Sequence, residues 1–173
     1  YENITEKILR RNLIDFLREV TPVAQDLGLR LCCHPDDPPF SLLGLPRIMS
    51  TESDYKIIMD EIPIQANGIT LCSGSLGVRK DNDITGMMSR LGDRVHFLHL
   101  RNVKKYENGD FFETNHLDGD VDMHDIISKI LREQKKRYIK DRKEVILEPQ
   151  AWVQAMELLQ DQHNHICTKK DVA

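Results

Sequence analysis

The sequence predicts an α/β fold in which parallel strands alternate with helices, and two observations carry that expectation. Short apolar runs recur between longer stretches whose apolar residues follow helical spacing. Candidate polar side chains, His34, Cys72 and His99, stand at or near the C-terminal end of three of these runs. That end of a strand is where parallel α/β folds gather their ligands.

Apolar residues at 8, 9, 13, 16, 17 and 20 give an amphipathic helix over 5–27, bent near Pro22 and stopped by Gly28. LRLCCH, 29–34, reads as a short buried strand. Ser50 and Thr51 ahead of Glu52 and Asp54 make a helix start, with the helix running to about residue 61. Asn67-Gly68 reads as a turn into the strand ITLC, 69–72, and SGSLG, 73–77, as a glycine-rich loop. Asp81 or Asp83 caps a helix through Leu91, and Gly92-Asp93 turns into the strand VHFLHL, 95–100. A long loop follows, then a helix from about 122 to 137 with Asp122 as its cap. EVIL, 144–147, reads as a fourth strand, a helix covers roughly 151–161, and the polar residues 162–173 read as a frayed tail. Four strand–helix units amount to half of an eight-fold (β/α)8 barrel, although spacing alone does not separate a barrel from an open sheet.

The totals limit what such a chain can do. At 173 residues it is one domain long, 1–173, with enough chain to bury a sizeable core. A formal net charge of −4 argues against a nucleic-acid binder held by phosphate contacts. No apolar stretch approaches the roughly 20 residues that cross a bilayer. The cysteines at 32, 33, 72 and 167 form no CxxC pair, so free thiols in a reducing cytoplasm are expected. The chain opens at Tyr1, in what reads as a connection into a helix, and is expected to be a piece of a longer protein.

Strand alternation separates the two histidines of VHFLHL. His99 shares a face with Val95, Phe97 and Arg101, whereas His96 shares the other with Leu98 and Leu100. His99 is the one nearer the strand end and is taken as the site residue, leaving His96 to packing or a structural hydrogen bond. Cys72 alone reads equally as a small buried apolar residue, and His34 alone as a cap. Together, one Cys and two His on three parallel strand ends make a nitrogen–sulfur ligand set suited to Mn, Fe(II), Co or Zn more than to Mg or Ca. Asp36 and Asp37, set among prolines in HPDDPP, fix a loop through backbone amides or add carboxylates to the site. His116, in NHLDGDVDM, is a candidate for substrate contact. SGSLG lacks both the GxGxxG and P-loop patterns.

HPDDPPFSLLGLPRIMST, NGITLCSGSLG, DRVHFLHLRNV and HLDGDVDM, in this order and spacing, resemble the signature segments of the mannonate dehydratase family over about residues 15–135. The resemblance implies the C-terminal half of a xylose-isomerase-like TIM barrel. It implies a lyase of hexuronate (glucuronate) catabolism that removes water from D-mannonate to give 2-keto-3-deoxy-D-gluconate with Mn²⁺ or Fe²⁺. It places His34, Cys72 and His99 at the metal and Arg101 and Asn102 at the substrate's carboxylate or hydroxyls. The family continues into an R-P-D-H-G segment that supplies a metal-binding Asp and a candidate proton-transfer His. Here the corresponding ILEPQAWVQAM sets Gln150 and Ala151 at those positions, with Glu148 as a carboxylate nearby. Half a barrel exposes strand edges, so pairing with the other half or a homo-oligomer is expected. Two other readings stand beside the dehydratase: a metal-dependent sugar isomerase or epimerase, and a non-catalytic metal-binding remnant.

Overall fold

A computed structural model describes residues 3–141. The strand expected at 144–147, the helix expected over 151–161, the tail at 162–173, and Gln150 and Ala151 lie outside the described residues.

The first helix, α1 (Glu6–Asp26), opens where the Thr5 side chain accepts the N–H of Ile8, and it runs through Pro22. It ends at Gly28, whose φ of +70° is costly for any residue with a Cβ. Three strands then form one parallel sheet: β1 (Leu31–Cys33), β2 (Asn67–Cys72) and β3 (Val95–His99), in the order β1-β2-β3. Sheet order follows chain order, as in a barrel, whereas a doubly wound sheet reverses at its switch point. Cys72 is in register with His99, and Cys33 with Ile69.

Between β1 and β2 lies α2 (Glu52–Glu61), capped by Thr51 with a reciprocal bond from Asp54. Asn67-Gly68, expected as a turn, is instead the first part of β2. The Asn67 amide donates to the carbonyls of Ile62 and Ile58, closing the end of α2. Gly68 stands where a Cβ would lie 2.3 Å from His96 Cδ2 and 3.1 Å from the Arg94 carbonyl, so the glycine serves close strand packing.

Two segments differ from expectation. SGSLG is not a loop but part of a short buried helix, α3 (Ser73–Val78), starting directly at the end of β2. The long loop after β3 contains an antiparallel hairpin, β4 (Asn102–Lys105) and β5 (Phe111–Thr114), with Gly109 at φ +94° in its turn. The remaining helices are α4 (Ile84–Leu91), capped by Asp83, and α5 (Met123–Asp141), whose first turn is held by Asp122.

The core gathers Ile69 and Leu71 of β2, Leu76 of α3, Met87 and Leu91 of α4, and Met123, Ile126 and Ile130 of α5. Each such side chain contributes about 1.5–3 kcal/mol when fully buried, which anchors the strands whose far ends carry the polar groups. β1 and β3 each have one edge without a strand partner among the described residues. Leu29 and Phe97 are exposed. Among the described residues no helix is long and apolar enough to cross a membrane.

Candidate metal centre

The sheet brings His34, Cys72 and His99 together. Their ligand-type atoms all lie within 4.8 Å of one another. His34 Nε2 is 3.2 Å from His99 Nδ1, and Cys72 Sγ is 3.4 Å from that same nitrogen. Cys72 ends β2 and His99 ends β3, while His34 follows β1 directly.

Each group is held for this arrangement. His34 Nδ1 donates to the Pro35 carbonyl at 2.7 Å, which puts the ring proton there and leaves the Nε2 lone pair facing the cluster. Cys72 is fully buried and acts as the cap of α3, its sulfur accepting the N–H of Ser75 at 3.4 Å and the Ser75 hydroxyl at 3.3 Å. His96, on the other face, bonds the Gln65 carbonyl and is the structural histidine, as its strand position predicts.

Electrostatics favour the ligating forms of Cys72 and His99 and bias His34 toward its protonated form, whose proton an ion would displace. The neighbouring Cys72 sulfur, against the effect of burial, raises the His34 imidazole above its usual value. Burial pushes the Cys72 thiol up, but hydrogen bonds from His34 and Ser75 outweigh it and bring the thiol below its usual value. Burial lowers His99, and the charges of His34 and Arg101 lower it further, so a neutral imidazole is favoured there. Ligand atoms sharing one transition-metal ion at bonds of about 2.0–2.3 Å stand roughly 3–4 Å apart. The observed separations, two nitrogens and a thiolate, fit such an ion and match the donor set of borderline metals.

Around this trio lies the rim. Arg101 follows β3, with its backbone N–H and carbonyl both on the Ser73 hydroxyl at 3.0 and 2.6 Å. Its Nη2 pairs with Asp37 Oδ2 at 2.8 Å, and its Nε is buried without an acceptor. Asp37 thus pairs with a side chain, whereas Asp36 fixes the loop: its Oδ2 accepts the N–H groups of Ile48 and Met49 and the Ser50 hydroxyl.

Asn102 departs from the substrate contact expected of it. It is 1% exposed, and its amide is committed to the backbone. Nδ2 donates to the carbonyls of His116 and Val121, and Oδ1 accepts from the N–H groups of Val103 and Val121. It staples the hairpin to the loop before α5. His116, half-buried in that loop, accepts this bond through its carbonyl. Ser75 was not singled out from sequence; its place three residues after Cys72, at the start of a helix, is the signal that finds it.

Ligand-type side chains ending consecutive parallel strands, in a sheet whose order follows the chain, define a segment of a β/α barrel with a candidate metal site at its strand ends. The particular family follows from comparison: the D-mannonate dehydratase (UxuA) family profile matches residues 1–152, and the chain belongs to that family. It is 49% identical over 129 residues to the mannonate dehydratase of Saccharophagus degradans, covering 75% of this chain and 32% of that protein. Against mannonate dehydratase 1 of Agrobacterium fabrum it is 48% identical over 145 residues, covering 82% and 36%. A crystal structure of mannonate dehydratase from Streptococcus suis serotype 2 matches with a TM-score of 0.72 and 34% identity, covering 76% of this chain and 39% of that one. The chain spans about a third of the length of the curated relatives it matches.

Proposed function

We propose that the protein is a metal-dependent hydro-lyase that removes water from D-mannonate to give 2-keto-3-deoxy-D-gluconate, acting in hexuronate catabolism in the cytoplasm. The observation that carries this reading is the convergence of His34, Cys72 and His99 beside Arg101, in a chain of the mannonate dehydratase family. His34 Nε2, Cys72 Sγ and His99 Nδ1 would hold the divalent ion, Mn²⁺ or Fe²⁺. Such an ion supplies Lewis acidity toward substrate oxygens, stabilising negative charge and easing the departure of a hydroxyl.

This chain's residues do the positioning. The Pro35 carbonyl fixes the His34 tautomer, and the bonds from Ser75 keep the Cys72 sulfur ready as a thiolate. Arg101, anchored by Ser73, presents its guanidinium at the rim for a sugar-acid carboxylate, a charge-assisted contact that also orients the carbon from which the proton leaves. Asp37 holds that guanidinium until substrate arrives. His116 is the further candidate for substrate contact. The proton acceptor is not among these groups.

A second reading, a non-catalytic metal-binding segment, is favoured by one observation: Gln150 and Ala151 stand where the family pattern has Asp and His. Titration calorimetry with Mn²⁺ on the full chain, with His99→Ala as control, tests the common part of both. Micromolar binding abolished by the substitution is expected. Binding that survives His99→Ala sinks the three-ligand site, and bound metal without any turnover of D-mannonate leaves the second reading.

A further inference from the structure

Ser75 is fully buried, and both of its donors converge on one sulfur, the backbone N–H at 3.4 Å and the hydroxyl at 3.3 Å from Cys72 Sγ. The oxygen of that hydroxyl also accepts from Arg101 Nη2 at 3.3 Å. Arg101 Nη2 is in turn paired with Asp37 at 2.8 Å. One hydroxyl therefore joins the guanidinium at the rim to the thiolate in the centre. The helix cap does not require it, because the backbone N–H of residue 75 already fills that role. Gly74 adds to the arrangement. A Cβ there would lie 2.2 Å from Arg101 Nε and 3.0 Å from Arg101 Cβ, so the arginine stem lies flat over the backbone that presents Ser75.

We propose that Ser75 is a positioning residue of the metal centre, whose hydroxyl sets the donor strength of Cys72 Sγ and makes it depend on the group with which Arg101 is paired. This deepens the assignment of His34, Cys72 and His99 as metal ligands and Arg101 as the carboxylate contact, and it rests on that assignment. An O–H donated to a sulfur ligand withdraws electron density from it. A guanidinium donating into the same hydroxyl oxygen polarises the O–H further, since hydrogen bonds in a chain strengthen one another. With Asp37 drawing on Nη2, the guanidinium donates less to Ser75. Loss of that carboxylate strengthens donation to the hydroxyl and weakens the sulfur as a donor.

The probe is Co²⁺ added to the full chain, read by the thiolate-to-Co²⁺ charge-transfer absorption in the near ultraviolet. Cys72→Ala identifies the band by abolishing it. In Ser75→Ala the band is expected to persist and move to lower energy, because the sulfur regains electron density. Asp37→Asn is expected to move it to higher energy in the parent chain and by a clearly smaller amount in the Ser75→Ala background, the difference being the coupling through the hydroxyl. Equal band positions in parent and Ser75→Ala overturn the proposal, as does an Asp37→Asn shift of the same size in both backgrounds. A parent chain with no Cys72-dependent band defeats the metal-site assignment itself, which is a different result from either. If Ser75→Ala loses its far-ultraviolet circular dichroism, Asp37→Asn in the parent chain carries the test alone, and an unmoved band overturns the relay.

Discussion

Replacing Asp36 with alanine tests what holds the rim loop beside His34. Its Oδ2 accepts N–H bonds from Ile48 at 2.8 Å and Met49 at 2.7 Å, and the Ser50 hydroxyl at 3.2 Å. Ile48 and Met49 are themselves buried, so few waters can replace the lost acceptor. A buried donor left unpaired costs about 1–3 kcal/mol, and two of them, with some water entry, make a loss of about 3 kcal/mol for Asp36→Ala. Asp36→Asn keeps a neutral carbonyl acceptor in place and is expected to cost about 1 kcal/mol, since only the charge assistance is lost. Urea unfolding of the full chain, followed by far-ultraviolet circular dichroism, should order the midpoints parent, Asn, Ala with a common slope. An alanine variant within about 1 kcal/mol of the parent, or asparagine no better than alanine, would refute the two-amide account.

Three further outcomes follow from named contacts. Gly74→Ala sets a Cβ 2.2 Å from Arg101 Nε and 2.9 Å from Arg101 Cγ. Helix propensity favours alanine by about 1 kcal/mol, so the unfolding midpoint should hold while calorimetric affinity for D-mannonate falls about 10–100-fold, the worth of one charge-assisted contact. Asn102→Ala removes four bonds to backbone at a 1% exposed position. It should cost about 3 kcal/mol, with hydrogen exchange rising first in the hairpin and the loop before α5. Glu52 is held at about 2 chiefly by its bonds to Arg90, with Lys56 adding to them. Its contribution is complete above the usual carboxylate range and disappears as pH falls toward that lowered value. Screening through the exposed Arg90 limits it to ~1 kcal/mol, so Glu52→Gln should flatten the acid limb of a stability–pH curve by that amount. A limb of unchanged steepness counts against the pairing.

What the sequence makes readable here follows from periodicity and capping. The strand ends expected at 34, 72 and 100 fall within a residue of those observed at Cys33, Cys72 and His99, and the convergence of His34, Cys72 and His99 follows from three parallel strands in chain order. The α3 helix was missed because Ser and Gly are weak helix formers and because its cap is a sulfur, Cys72. Burial stabilises that helix, and burial is a tertiary fact. The hairpin was missed because NVKK and FFET carry as many charged as apolar residues, yet Asn108-Gly109 between them is a hairpin turn signal. The family resemblance places Asn102, like Arg101, at the substrate. Only the placement of the His116 and Val121 carbonyls, up to 19 residues on, reveals it as a staple.

The three ligand-type groups are distant in the chain, with 65 residues separating His34 from His99 and 27 separating Cys72 from His99. No fragment that has closed only one crossover can present all three. Loop closure of this kind is entropically uphill before its contacts form, and non-local pairing slows folding. An ion that needs all three groups would bind only once both crossovers have closed, and so is expected to contribute little to the folding transition state. It should leave the folding limb of a chevron nearly unmoved and slow the unfolding limb. A metal bound by this trio would then work as a kinetic lock on a completed topology, not as a nucleus for it.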